Sequence, residues 1–227
     1  MNTSERHARR AGPERPRAVI FDWDNTLVDT WPTIHDALDH TFRAYGLKPW
    51  TLEETRARVR RSMRESFPPL FGDRWEEAGQ VFYARFQARH LDTLTPLDGA
   101  AEMLEALQAA GCYLAVVSNK TGRLLRREAD HLGWSGRFGR LVGAGDTARD
   151  KPAVDPVDLA LDGTGIPRGD DVWFAGDTDV DLECARAAAC RPVLVRPRAP
   201  APGEFADHAP WLHVESPRAL CKLILSM

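Results

Sequence analysis

Five short runs of β-favouring apolar residues set the frame of this chain: Arg17–Phe21 (RAVIF), Tyr113–Val117 (YLAVV), Arg140–Val142 (RLV), Val172–Ala175 (VWFA) and Pro192–Val195 (PVLV). None alternates strictly between apolar and polar residues. Each therefore reads as a strand covered on both faces, as in a parallel sheet. Helical stretches separate most of them. Gly99–Ala110 carries Met103, Leu104 and Leu107 and is followed by Gly111. Thr121–Leu132 is basic and amphipathic, Pro156–Gly163 is short, and Asp181–Ala189 is rich in alanine. Strand alternating with helix predicts an α/β fold, a doubly wound parallel sheet with a Rossmann-like core.

The interval from Thr33 to about Leu94 breaks this rhythm. It reads as helices without a convincing strand. Leu52, Val59 and Met63 fall on one helical face, and Trp50, Phe67, Phe71, Trp75, Phe82, Tyr83 and Phe86 crowd the same interval. A helical domain inserted after the first strand accounts for it. Residues 1–16 read as a disordered tail, and the Pro/Ala-rich 197–210 as a surface loop.

Composition excludes several classes of function. Of the 227 residues, 43% are hydrophobic and 28% charged, which is globular composition. Thirty Lys and Arg stand against 33 Asp and Glu, a net charge of −3 that gives no global reason to bind nucleic acid or an anionic membrane. No apolar run is long enough to span a membrane. The four cysteines form no CxxC pair, so neither a zinc ribbon nor a dithiol motif is suggested, and free thiols fit a cytoplasmic protein.

The chemistry gathers at the ends of the apolar runs. The first ends in Asp22-Trp23-Asp24-Asn25-Thr26, the second in Ser118-Asn119-Lys120, and the fourth in Gly176-Asp177-Thr178-Asp179-Val180-Asp181. Lys151-Pro152 follows the third. In an open parallel sheet, ligands bind outside the carboxyl ends of the strands. Several carboxylates packed there repel one another, and a divalent cation and a lysine relieve that repulsion. Oxygen-only ligands favour Mg²⁺. A carboxylate can attack phosphorus to form an aspartyl-phosphate, and a second acid can protonate the leaving alcohol and then activate water. The alternatives fail on particular residues. Leu182 and Leu27 stand where a calcium loop needs glycine, and the Gly143–Ala148 match to a dinucleotide fingerprint is followed closely by Pro152.

With these four segments in order, the chain resembles the haloacid dehalogenase-like hydrolases, within them the phosphoglycolate phosphatase-like group. The resemblance runs over roughly residues 17–196. Asn25 stands where that family commonly has glycine, Trp23 where it has an aliphatic residue, and Ala189-Cys190 where Ala-Gly is frequent. The resemblance implies roles. Asp22 is the nucleophile and a metal ligand. Asp24 is the general acid/base, with its backbone carbonyl on the metal. Thr26 supports the loop, and Ser118 with the Asn119 backbone holds phosphate. Lys151 neutralises charge, Asp177 ligates Mg²⁺, and Asp181 supports the metal site or Lys151. Asp179 receives no role.

The long interval from Asp22 to Ser118 places a helical cap at residues 33–94. Residues 17–32 and 95–227 then form the catalytic core. The expectation is a Mg²⁺-dependent phosphatase acting on a small phosphorylated metabolite, with phosphoglycolate as the candidate, as a monomer or homodimer without nucleic-acid or membrane partners. The rivals are a phosphomutase of the same fold and a catalytically silent binding module. A 2-haloacid dehalogenase is disfavoured by Asp24, and a phosphonate hydrolase by a cap whose single lysine is Lys48. The basic run Arg56–Arg64 either is a solvated face, with Glu54–Arg58 and Arg61–Glu65 pairs, or brings Arg60 to an anionic leaving group.

Overall fold

The computed structural model describes residues 15–59 and 63–227. The chain opens with β1 (Ala18–Phe21) and a two-residue strand β2 (Val28–Asp29). Five helices follow: α1 (Trp31–Ala44), α2 (Leu52–Arg58), α3 (Met63–Ser66), α4 (Pro68–Phe71) and α5 (Trp75–Arg89). The chain then re-enters the core through β3 (Thr95–Pro96) and α6 (Ala100–Ala109). Next come β4 (Tyr113–Thr121), α7 (Gly122–His131), β5 (Arg140–Ala144), α8 (Asp155–Leu161) and β6 (Val172–Gly176). The chain closes with α9 (Asp179–Ala187), β7 (Arg191–Val195), β8 (Leu212–Val214) and α10 (Pro217–Leu225).

Six strands form a parallel sheet in the order β5-β4-β1-β6-β7-β8. β1 is therefore the centre. From it the chain winds outward through β4 and β5, then returns to the other side through β6, β7 and β8. The carboxyl end of β1 lies where the winding reverses, the ligand-binding crevice of such sheets. Both faces of β1 are buried. Val19 and Phe21 pack with Met103, Leu107, Leu125 and Ile224, whereas Ala18 and Ile20 pack with Val157, Leu161 and Ala185. Covering on both sides explains why these strands show no alternation.

The helical segment between β2 and β3 has a core of its own. Leu38 and Phe42 of α1 meet Phe67, Phe71 and Ala78, with Trp50, Trp75 and Phe82 packed around them. The aromatic crowding thus fills this core, except for Tyr83, which is exposed, and Phe86, which packs with Ala37 and with Leu124 of α7. One expectation changes. Leu52, Val59 and Met63 do not ride one continuous helix: α2 ends at Arg58, and Val59 leaves helical geometry at φ −80°, ψ 87°. Arg56, Arg60 and Arg64, four residues apart, would oppose one another along such a helix. Arg60, Arg61 and the first fourteen residues lie outside the described residues.

Two departures from the family pattern acquire backbone reasons. Asn25 sits at φ +61°, the left-handed region that glycine enters freely and asparagine tolerates. Its side-chain Oδ1 accepts the Thr30 amide hydrogen at 3.2 Å, just before α1. After α9 the left-handed residue is Ala189, at φ +56°, so glycine is missed there rather than at Cys190. Ala189 is exposed, and its Cβ is strained in this conformation. Ala189→Gly is expected to raise stability by about 0.5–1 kcal/mol, since relief of strain exceeds the added freedom of the unfolded chain. An increased urea midpoint at unchanged slope is the readout; a lower midpoint contradicts it.

The C-terminal β8 and α10 extend the core beyond the elements that the sequence pattern predicts. β8 is three residues long and only partly covered. Ser216 caps α10 by accepting the Ala219 amide hydrogen, Pro217 opens the helix, and Leu220 and Ile224 bury one face. All four cysteines are free, with Cys112, Cys184 and Cys190 buried. Among the described residues no helix is long and apolar enough to cross a membrane.

Candidate active site

Strand register assembles the site. Phe21 of β1 lies beside Val116 of β4 and Ala175 of β6. The residues that follow therefore emerge together at one sheet edge: Asp22 and Asp24, Ser118 and Asn119, and Asp177. The Asp22 amide continues the ladder by donating to the Ala175 carbonyl at 2.8 Å. Lys151 arrives from the loop between β5 and α8, through a cis bond to Pro152.

Lys151 is the centre of the constellation. Its Nζ donates to Asp22 Oδ1 and to Asp181 Oδ1, both at 2.6 Å, and all three side chains are buried. The other Asp181 oxygen accepts from the Thr178 amide at 3.0 Å and the Thr178 hydroxyl at 2.7 Å. That arrangement caps α9 and fixes Asp181 facing Lys151. Gly176 makes the approach possible, because a Cβ there would stand 2.3 Å from Asp181.

Asp22, Asp177 and Asp181 each offer a carboxylate oxygen within 4.8 Å of the others. Burial, with the charges of Asp181 and Asp24, raises the Asp22 pKa to about 7 against the opposing pull of Lys151. Burial and the neighbouring Asp181 and Asp22 charges hold Asp177 well above the ordinary carboxylate range. Burial alone would lower Lys151, but Asp181 and Asp22 outweigh it and raise its pKa. One buried cation shared among three acids leaves a site that favours a second cation. Oxygen-only donors of this kind fit Mg²⁺.

A pH dependence follows for the metal-free protein. Folding raises the Asp22 and Asp177 pKa values, so the folded state binds more protons than the unfolded chain above about pH 4. These groups therefore remove stability as pH rises from about 4 to about 7. Added Mg²⁺ is expected to raise Tm more at pH 8 than at pH 5, where protons compete for the same oxygens. Equal Mg²⁺ shifts at both pH values contradict a cation at this cluster.

The remaining expected residues take distinct places. Ser118 is buried, and its Oγ accepts from the Lys120 amide at 3.2 Å. Asn119 is exposed at the edge and donates through Nδ2 to the Lys151 carbonyl at 3.2 Å. Thr26 is buried, with a hydroxyl that has no hydrogen-bond partner among the described residues. The Asp24 carboxylate stands apart from the acidic cluster, hydrogen-bonded by Lys120 and Thr30. Asp179 is mostly exposed, with His208 at 3.7 Å.

Sequence reasoning missed the group behind Asp24. Lys120 Nζ donates to Asp24 Oδ1 and to Glu128 Oε2, each at 2.6 Å. Glu128 also accepts from Trp23 Nε1 at 2.7 Å, and it meets His90 Nδ1 at 2.7 Å. The Trp23 departure thus supplies a donor that an aliphatic residue lacks. A signal existed: Glu128 falls one turn after Leu124 and Leu125, on the buried face of α7.

Comparison with known proteins agrees with this architecture. The model of the haloacid dehalogenase-like hydrolases matches residues 19–195. The chain belongs to that family. A phosphoglycolate phosphatase of Xylella fastidiosa is 33% identical over 177 residues, covering 76% of this chain and 77% of its own. An N-acetylmuramic acid 6-phosphate phosphatase of Pseudomonas aeruginosa is also 33% identical, over 187 residues, covering 80% and 82%. Among solved structures, a hydrolase of the superfamily from Ehrlichia chaffeensis shares 29% identity with a TM-score of 0.64, covering 95% of this chain and 98% of that one. A haloacid dehalogenase-like protein from Streptococcus pneumoniae shares the fold, with a TM-score of 0.80 at 22% identity, covering 92% and 98%.

Proposed function

We propose that this protein is a Mg²⁺-dependent phosphatase that hydrolyses a small phosphate monoester through an aspartyl-phosphate on Asp22. The observation that carries this reading is the buried Asp22–Lys151–Asp181 contact beside Asp177 at the carboxyl edge of the sheet. Lys151 aligns Asp22 Oδ1 and balances charge as its carboxylate approaches phosphorus. Ser118, the Asn119 backbone and the unpartnered Thr26 hydroxyl offer donors for phosphate oxygens and for the loop that carries them. Asp24 gives its proton to the departing ester oxygen, then takes one from the water that attacks the phosphoenzyme. Asp22 and Asp177, with the Asp24 backbone carbonyl, would hold Mg²⁺, and Asp181 would support that site. The cation, when bound, offsets negative charge on the phosphoryl group.

The helical segment from α1 to α5 serves as a cap, with residues 33–94 as its extent. A cleft of about 410 Å³ lies between it and the core, lined by Asn25, Trp31, Arg56 and Arg196 among others. Arg56 lines this cleft, whose walls do not include Asp22, Ser118, Lys151 or Asp177. Under this reading Arg56, a neighbour of Arg60 on the same basic run, meets the leaving group when the cap closes. Arg58 is engaged elsewhere, with Glu54 at 3.3 Å and the Trp50 ring at 4.9 Å. The two relatives named above are named for different esters, phosphoglycolate and N-acetylmuramic acid 6-phosphate, whose leaving groups both carry a carboxylate. A guanidinium at the cleft suits that group. The cleft volume admits either ester. Phosphoglycolate is the preferred substrate under this reading because further relatives are named for it.

Phosphate release from both esters and from carboxylate-free counterparts, with Mg²⁺ and with chelator, tests the reading. Faster turnover of the carboxylated esters, lost on chelation, is expected. Turnover unchanged by chelator removes the metal from the proposal. A bisphosphorylated sugar retained across turnovers would favour a mutase.

A further inference from the structure

The buried Lys120 has no task in the chemistry described so far. Its side chain is 3% exposed, and it lies between Asp24 at the catalytic edge and Glu128 of α7. Burial opposes its charge, but Asp24 and Glu128 outweigh burial and keep the ammonium charged. Glu128 is fully buried and held by three donors: Lys120, Trp23 Nε1 and His90 Nδ1. The contact with His90 is satisfied by the tautomer that carries its hydrogen on Nδ1. His90 caps the end of α5, stacked on Phe86, and Phe86 lies 5.4 Å from the Lys120 ammonium. The lysine is therefore held by Glu128 and the Phe86 ring on one side and reaches Asp24 on the other.

Apolar residues in place of the whole Lys120–Glu128 pair would fill this space at least as favourably for stability, because buried ion pairs are weak stabilisers. What they would not supply is a rigid donor toward Asp24. The side-chain hydrogen bonds given to the Asp24 carboxylate among the described residues, from Lys120 and Thr30, both fall on Oδ1. Oδ2 takes no side-chain hydrogen bond among the described residues.

We propose that Lys120 is a positioning residue for Asp24: braced by Glu128, it fixes the carboxylate through Oδ1 and leaves Oδ2 to exchange the proton. The inference rests on the acid/base reading of Asp24. In the first step the Asp22–phosphorus bond forms, the phosphorus–ester bond breaks, and the Asp24 proton goes to the ester oxygen. In the second, Asp24 takes a proton from water as its oxygen joins phosphorus and the Asp22–phosphorus bond breaks.

The test compares two esters in the Mg²⁺-loaded full chain. 2,4-Dinitrophenyl phosphate leaves as a stable anion and needs no proton, whereas phosphoglycolate leaves as an alkoxide that does. Lys120→Met and Asp24→Asn are each expected to keep a rapid burst of dinitrophenolate, within about fivefold of the wild-type rate. Steady-state turnover of both esters should fall by about a hundredfold. A general folding defect would slow the burst as well. Should Lys120→Met fold poorly, Lys120→Met/Glu128→Gln removes both buried charges and gives the same readout. Wild-type steady-state turnover in the Lys120 variants, or a burst slowed as much as turnover, overturns the positioning role. The burst signature in Asp24→Asn but not in the Lys120 variants does so too. Its absence from Asp24→Asn overturns the acid/base reading and this inference with it.

Discussion

Asp22→Asn is expected to yield a folded protein whose turnover of phosphate monoesters is lower by about a thousandfold or more. The substitution keeps side-chain shape and an oxygen for the 2.6 Å contact with Lys151, but it removes the attacking anion. It also removes one of three carboxylates that crowd each other at this edge. Thermal stability without Mg²⁺ should therefore hold or rise, which separates lost chemistry from lost structure. Steady-state phosphate release beside a melting curve reads both. Activity within about tenfold of wild type would take the nucleophile role away from Asp22.

Lys151→Met combines a large kinetic effect with a large structural one. Lys151 bridges Asp22 and Asp181, and without it both are buried beside Asp177 with no cationic partner in contact. Breaking a buried ion pair by removing one member costs about 3–5 kcal/mol. The metal-free variant should lose about that much, and added Mg²⁺ should recover part of it. With Mg²⁺ present, kcat is expected to fall by about a thousandfold, since alignment of Asp22 and charge balance disappear together. Denaturant melts with and without Mg²⁺, together with phosphate release, are the measurements. A variant as stable and active as wild type would mean that Lys151 only fills space.

The sheet was legible because its signal is local. Burial on both faces produces unbroken runs such as VWFA, and each run ends where the chain must turn with polar residues. The catalytic edge was legible for the same reason, since Asp22, Ser118 and Asp177 each sit at the end of such a run. The helix break after Arg58 was hidden because Val59 and Met63 share a helical period yet reach their common core from separate elements. β8 was hidden by its length. Lys120 and Glu128 were hidden because the apolar stripe of α7 marks Glu128 as buried without naming its partners. His90 and Trp23, which complete their setting, lie 38 and 105 positions from Glu128 in sequence. Asn25 and Ala189 read as departures from a family pattern until their left-handed backbones gave the first a fit and the second a strain.

The short ribbon of β2 and β3 carries a consequence for how such a chain can diversify. Val28 pairs with Pro96 and Asp29 with Thr95, antiparallel, so the helical segment leaves and rejoins the core at one doorway. Joining the two ends is a task of the ribbon, not of the helices beyond it. Loop-closure entropy grows only by about 0.6 kcal/mol for each doubling of length. Provided Phe86 and His90 at its end keep their contacts with Leu124 and Glu128 of α7, the segment can thus be lengthened, shortened or exchanged for another with little penalty to the sheet behind it. Selection acting on Arg56 and its surroundings can retune what enters the cleft, while Asp22, Lys151 and Asp181 stay anchored in the sheet edge.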